Sequence, residues 1–92
     1  MSVVIIGGNE CMTRRYIDLC GEYKCKARVY PKLKRGMMDF GSPDLLVLFT
    51  GTMSHKMLHC ALTETKGKQM KIARSHSSSI TALKAILDEH TA

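Results

Sequence analysis

Ninety-two residues can build one core of useful size and not two, so a single domain over residues 1–92 is expected. Fourteen lysines and arginines face eight aspartates and glutamates, and the net charge of +6 favours an anionic partner: a phosphorylated ligand, a carboxylate-bearing cofactor or nucleic acid. Three tyrosines, two phenylalanines and no tryptophan leave little for a base-stacking platform, and the four cysteines include no CxxC pair, against a zinc knuckle or a thioredoxin-type motif.

The chain opens on Val3-Val4-Ile5-Ile6, a β-branched run closed by Gly7-Gly8, as a strand buried on both faces reads. Asn9 then suits a helix N-cap and Glu10 the positive end of the helix dipole. Met12, Tyr16, Leu19, Cys20 and Tyr23 recur at helical spacing, predicting a first helix to about Tyr23. Cys25 to Tyr30 alternates apolar and polar positions, which suits an edge strand whose Lys26 and Arg28 discourage further pairing. Pro31 stops it, and Lys32 to Pro43, basic and broken by Gly36 and Gly41, reads mostly as loop.

Leu45-Leu46-Val47-Leu48-Phe49 is a second fully apolar strand, broken by Thr50-Gly51-Thr52. Ser54 is the expected N-cap of a second helix bearing Met57, Leu58, Ala61 and Leu62 and ending near Gly67. Met70 to Ala73 forms a short fourth strand, Ser77 to Ser79 supply caps, and Ile80, Leu83, Ile86 and Leu87 are the inward stripe of a last helix. Strands alternating with helices predict an α/β fold with a small open parallel four-stranded sheet, Rossmann-like, in the order 2-1-3-4.

In such sheets ligands bind beyond the carboxyl ends of the strands, where the winding direction reverses. That edge is expected to hold Gly7-Gly8-Asn9, Thr50 to His55 and Arg74 to Ser77. Gly7 and Gly8 allow a close backbone approach to an anion, although neither a GxGxxG pattern nor a phosphate-loop lysine follows, so a tight turn alone is the favoured account and ligand contact the alternative. Arg14 and Arg15 can grip a carboxylate or phosphate in bidentate fashion.

His55 falls in the first turn of the second helix, where the dipole favours the neutral imidazole that a metal or haem iron requires; a capping or surface role is the alternative. His59 lies one turn on, but Lys56 stands where an HExxH glutamate would be. Met53 and its neighbours Met37, Met38 and Met57 suit either an apolar cofactor slot or an imperfect core, and Ser54 and Ser77 either ligand contacts or caps. Asp18, Asp39 and Asp44 have no assigned histidine partner, so catalysis is the least favoured class. The short apolar start lacks a basic leader or membrane span, and the cysteine usage fits a reducing setting, so a cytoplasmic protein without membrane association is expected. A homodimer is the expected assembly, because so small a domain buries only ~60% of its unfolded surface alone.

The succession VVIIGGNECMTRRYIDLC, LLVLFTGTMSH and KIARSHSSSITALKAIL resembles the small bacterial domains grouped as domain of unknown function 2325. Their pattern is a strand ending in two glycines, an arginine-bearing helix, a strand leading into Ser-His and a serine run before the last helix. The resemblance implies a Rossmann-like domain that tends to dimerise, with candidate functional positions at Gly7, Gly8, Arg14 or Arg15, Tyr16, Ser54, His55 and Ser77. Some similar domains are associated with haem and dioxygen binding through a histidine, which implies haem as cofactor with His55 as iron ligand and Lys32, Lys34 and Arg35 near its propionates. One departure stands out. Tyr30-Pro31-Lys32-Leu33 occupies the place where similar domains often carry a histidine and glycines. The alternative is a regulatory domain that binds an anionic ligand, nucleotide or nucleic acid through the Gly-Gly loop and basic residues.

Overall fold

The β-branched run at the start forms β1 (Ser2–Gly7), and its residues from Val3 onward are all buried, as the unbroken apolar pattern requires. In the computed structural model, which describes residues 1–30, 43–65 and 70–91, β1 pairs in parallel with β2 (Lys26–Tyr30) and β3 (Leu45–Phe49). β3 pairs in parallel with β4 (Lys71–Ser75), so the strand order is β2-β1-β3-β4, as expected. Helices α1 (Thr13–Glu22), α2 (His55–Thr65) and α3 (Ile80–Thr91) complete the α/β fold.

From the central pair the chain winds outward in opposite directions, β1 to β2 and β3 to β4, so right-handed crossovers place α1 and α2 on opposite faces. The packing follows. Val3, Ile5, Leu45, Val47 and Phe49 share one buried cluster with Tyr16, Leu19 and Cys20 of α1 and Leu83 and Leu87 of α3. Their alternates Val4, Ile6, Leu46 and Leu48 pack with Ala61, and against them lie the half-buried Met57, Leu58 and Leu62 of α2. The period of two along each strand thus feeds two separate cores.

Two boundaries differ from the sequence expectation. The first helix begins later, because Asn9 caps a 3-10 turn over Glu10–Met12: its Oδ1 accepts from the Cys11 amide at 2.9 Å and its carbonyl from the Met12 amide at 2.9 Å. β4 runs on to Ser75 because Arg74 and Ser75 pair with Leu48 and Phe49, so the ladder to a buried neighbour outweighs their polar character. The expected end of helix two near Gly67 and the basic loop over 31–42 lie outside the described residues.

The end of α1 is closed by a Schellman motif. Lys24 takes a left-handed φ of 58°, its amide donates to the Gly21 carbonyl at 3.0 Å, and the Cys25 amide donates to the Cys20 carbonyl at 2.9 Å. Nearby, the Tyr23 hydroxyl donates to the Asp88 carboxylate and so ties α1 to α3.

This corner makes stability sensitive to alkali. Burial, reinforced by Cys25, pushes the Cys20 thiol from 9.0 up to about 11, and the hydrogen bond to Asp88 pushes the Tyr23 phenol from 10.0 up to about 12. Both groups hold protons in the folded chain that the unfolded chain has released, so unfolding releases protons throughout this window. Their contribution is complete below about pH 9 and is lost as the pH rises through about 11 to 12. Urea midpoints are therefore expected to be level up to about pH 9 and to fall above it, less steeply in Tyr23→Phe. An equal slope in that variant would remove Tyr23 from the account.

Candidate functional site

All four strands run the same way, so the loops after β1, β3 and β4 emerge at one edge of the sheet, beside the switch between β1 and β3. Gly7 and Gly8 have φ of 88° and 87°, which only glycine adopts without strain. What comes close to them is the protein itself. A Cβ on Gly7 would lie 2.8 Å from Met53 Cγ and 2.9 Å from the Phe49 carbonyl oxygen, and one on Gly8 would lie 2.9 Å from Tyr16 Cε2.

The amides of this turn also have internal partners. The Gly8 amide donates to Thr52 Oγ1 at 2.6 Å, and that hydroxyl donates to the Phe49 carbonyl at 3.0 Å. The Asn9 amide donates to the Tyr16 hydroxyl at 3.4 Å. The tight-turn account is therefore sufficient for both glycines.

Tyr16 is the hub of the edge. It is fully buried, its ring lies 5.4 Å from that of Phe49, and its hydroxyl donates to the Ser78 carbonyl at 2.6 Å. One side chain of α1 thereby joins the loop after β1 to the loop after β4. The loop after β3 is braced to the same neighbour: Thr50 Oγ1 donates to the Ser75 carbonyl at 3.4 Å, and Gly51 packs directly on the His76 backbone.

Around this brace the candidate residues are placed as follows. Ser54 caps α2, its hydroxyl accepting from the Met57 amide at 3.1 Å and its carbonyl from the Leu58 amide at 3.0 Å. His55 opens α2 and His59 follows one turn on; both are exposed, as is Lys56. Ser77 is exposed, and its hydroxyl donates to Ser79 Oγ at 3.2 Å and accepts from the Ser79 amide at 3.3 Å. Ser79 is the residue that caps α3, accepting from the Ala82 amide at 3.1 Å. Arg15 is exposed, while Arg14 makes an i,i+4 ion pair with Asp18 at 3.6 Å. With the two side chains 88% and 68% exposed, that pair is solvated and contributes little to stability.

The edge thus gathers Gly7, Gly8, Met53, Ser54, His55 and Ser77, with Arg14 and Arg15 a turn away on α1. Tyr16, already among the candidate positions, holds these loops together with Gly51, Thr52 and His76, whose part is less visible in sequence. The available signal is the Thr-Gly-Thr break straight after a buried strand, and it does not say which neighbour the glycine must admit. At the opposite edge a shallow depression of about 400 Å³ is lined by Met1, Asp44, Lys71 and His90, far from the strand switch.

The described residues around His55 present mostly polar, exposed groups. Met53 and Met57 are half-buried against the Val4, Ile6, Leu46 and Leu48 cluster rather than facing outward beside the histidine. Ser54, Lys56, Gly51 and Thr52, its neighbours in the chain, are exposed, whereas haem is held in a largely apolar pocket. The basic residues assigned to the propionates, Lys32, Lys34 and Arg35, lie outside the described residues. Among the described residues no group of three or more His, Cys, Asp or Glu side chains is placed to hold a metal ion, and no helix is long and apolar enough to cross a membrane.

Fold and edge together define a small Rossmann-like α/β domain with its loops interlocked over the strand switch. The chain belongs to the family described as an uncharacterized protein conserved in bacteria (DUF2325), whose family model matches residues 2–90. A search of curated proteins and a search of solved structures each found no match.

Proposed function

We propose that this domain is a binding module for a small anionic ligand, a phosphate- or carboxylate-bearing molecule seated on the carboxyl edge of the sheet. The observation that carries this reading is the distribution of charge. Lys56 lies in the first turn of α2 and Arg74 near the end of β4 at that edge, with Arg14 and Arg15 nearby on α1, and the imidazoles of His55 and His76 add hydrogen-bonding groups beside them. Against these stand Glu10 at the same edge and Asp18, which pairs with Arg14, whereas Glu22, Asp44, Asp88 and Glu89 belong to the other end of the sheet and helices. The α2 and α3 dipoles add positive potential at the same edge, since both helices start there.

Thermal unfolding at low salt tests it, with inorganic phosphate, nucleoside mono- and triphosphates, citrate and haemin as probes. A ligand at a hundred times its Kd adds about 2.7 kcal/mol, which is on the order of 10 °C or more for a chain of this size. The shift is expected with an anion, is expected to fade as salt screens the edge, and should weaken about tenfold in affinity when His55 and Lys56 are both replaced by alanine. Absence of any shift with every anion would overturn the proposal. A Soret change of added haemin that His55→Ala abolishes would replace it with haem ligation.

A further inference from the structure

The four cysteines are free thiols, but they are not placed alike: Cys11 is exposed and Cys60 half-buried, while Cys20 and Cys25 are buried at the α1–β2 corner. In a Schellman motif the third residue from the helix end and the second beyond the cap commonly touch through apolar side chains. Here those two positions are Cys20 and Cys25, joined by the hydrogen bond from the Cys25 amide to the Cys20 carbonyl at 2.9 Å. Both belong to the same buried cluster. The two positions that hydrocarbon side chains commonly occupy in this motif are both cysteines here.

We propose that Cys20 and Cys25 form an oxidation site, closing to an intramolecular disulfide when a hydroperoxide reaches Cys25. The two thiols are not equally accessible. Cys25 is 7% exposed and its Sγ donates to the Tyr23 carbonyl at 3.4 Å, at the turn, whereas Cys20 is 0% exposed. Cys25 is therefore attacked first. Its sulfur forms an S–O bond as the peroxide O–O bond breaks, and its proton leaves with the departing oxygen as water or an alcohol. The Cys20 sulfur then displaces hydroxide from the Cys25 sulfenic acid, so that S–S forms, S–O breaks and the Cys20 proton leaves in water. The two thiols lose two protons and two electrons, and the hydroperoxide takes up the same two electrons.

The test uses the folded, full chain treated with hydrogen peroxide, then unfolded and alkylated. Trypsin cuts after Lys24, between the two cysteines, so the expected product is residues 16–24 joined to residues 25–26, lighter by two hydrogens than the separate peptides and released by dithiothreitol. The same link should persist in Cys11→Ser/Cys60→Ser, which leaves no other thiol to exchange, and vanish in Cys25→Ser. Full alkylation of Cys20 and Cys25 after peroxide would overturn the proposal. So would oxygen gain at Cys25 without the link, or a link that forms only in the urea-unfolded chain.

Discussion

Replacing Gly51 with alanine is expected to lower stability by about 3 kcal/mol. The first atom of any side chain at this position would fall inside the van der Waals surface of the His76 carbonyl oxygen, with His76 Cε1 3.3 Å away. Backbone, unlike the end of a flexible side chain, cannot swing aside. Relief therefore means parting the loop after β3 from the loop after β4, and with it stretching the Thr50 to Ser75 hydrogen bond. Gly21 is the control. Nothing lies within 4 Å of a Cβ there, so Gly21→Ala, in the last turns of α1, is expected to stabilise the chain by about 0.5–1 kcal/mol. Urea denaturation of the two variants separates them in sign, and a Gly51→Ala variant as stable as the native chain would show that the loops are not braced in this way.

Phe49→Ala is expected to cost about 4 kcal/mol, toward the upper part of what a fully buried phenylalanine loses. The ring is 0% exposed, lies against Tyr16 at 42° and sits 3.2 Å from where a Cβ on Gly8 would be. It therefore fills the space between α1 and the Gly-Gly turn, beside Tyr16. The cavity would also free the Tyr16 ring to move, weakening the hydroxyl's bonds to Ser78 and Asn9. Since a domain of this kind holds on the order of 5–15 kcal/mol in all, the variant should unfold at far lower denaturant, while Phe49→Leu should retain most of the difference. A loss near 1 kcal/mol in Phe49→Ala would mean that the edge repacks freely. Ligand binding measured on the surviving folded fraction of either variant also bears on the anionic-ligand proposal, because both loosen the loops without removing a charge from the edge.

The strand switch was legible because both central strands are apolar at every position and the outer ones are not. Val3 to Ile6 and Leu45 to Phe49 announce burial on two faces, which only the middle of a parallel sheet provides. Caps were legible for a similar local reason: Ser54 and Ser79 each accept from an amide three residues onward. The later start of α1 was not, because Asn9 caps a 3-10 turn as readily as an α-helix and nothing local chooses between them. Nor was the length of β4, where polar Arg74 and Ser75 are drawn into the ladder by β3.

The sequence by itself determined the α/β class, the four parallel strands, their order, and the edge at which the loops gather, because hydrophobic period and capping chemistry act over a few residues at a time. Tertiary structure alone decided what the glycines of that edge are for. Gly7, Gly8 and Gly51 make room for Met53, Tyr16 and His76, residues 25 or more positions away in two of the three cases. It also decided that Thr52 and Tyr16 hold the amides and carbonyls of neighbouring loops, and that two cysteines share one corner of the core. Such pairings depend on how distant segments dock, and no local spacing of residue types encodes that.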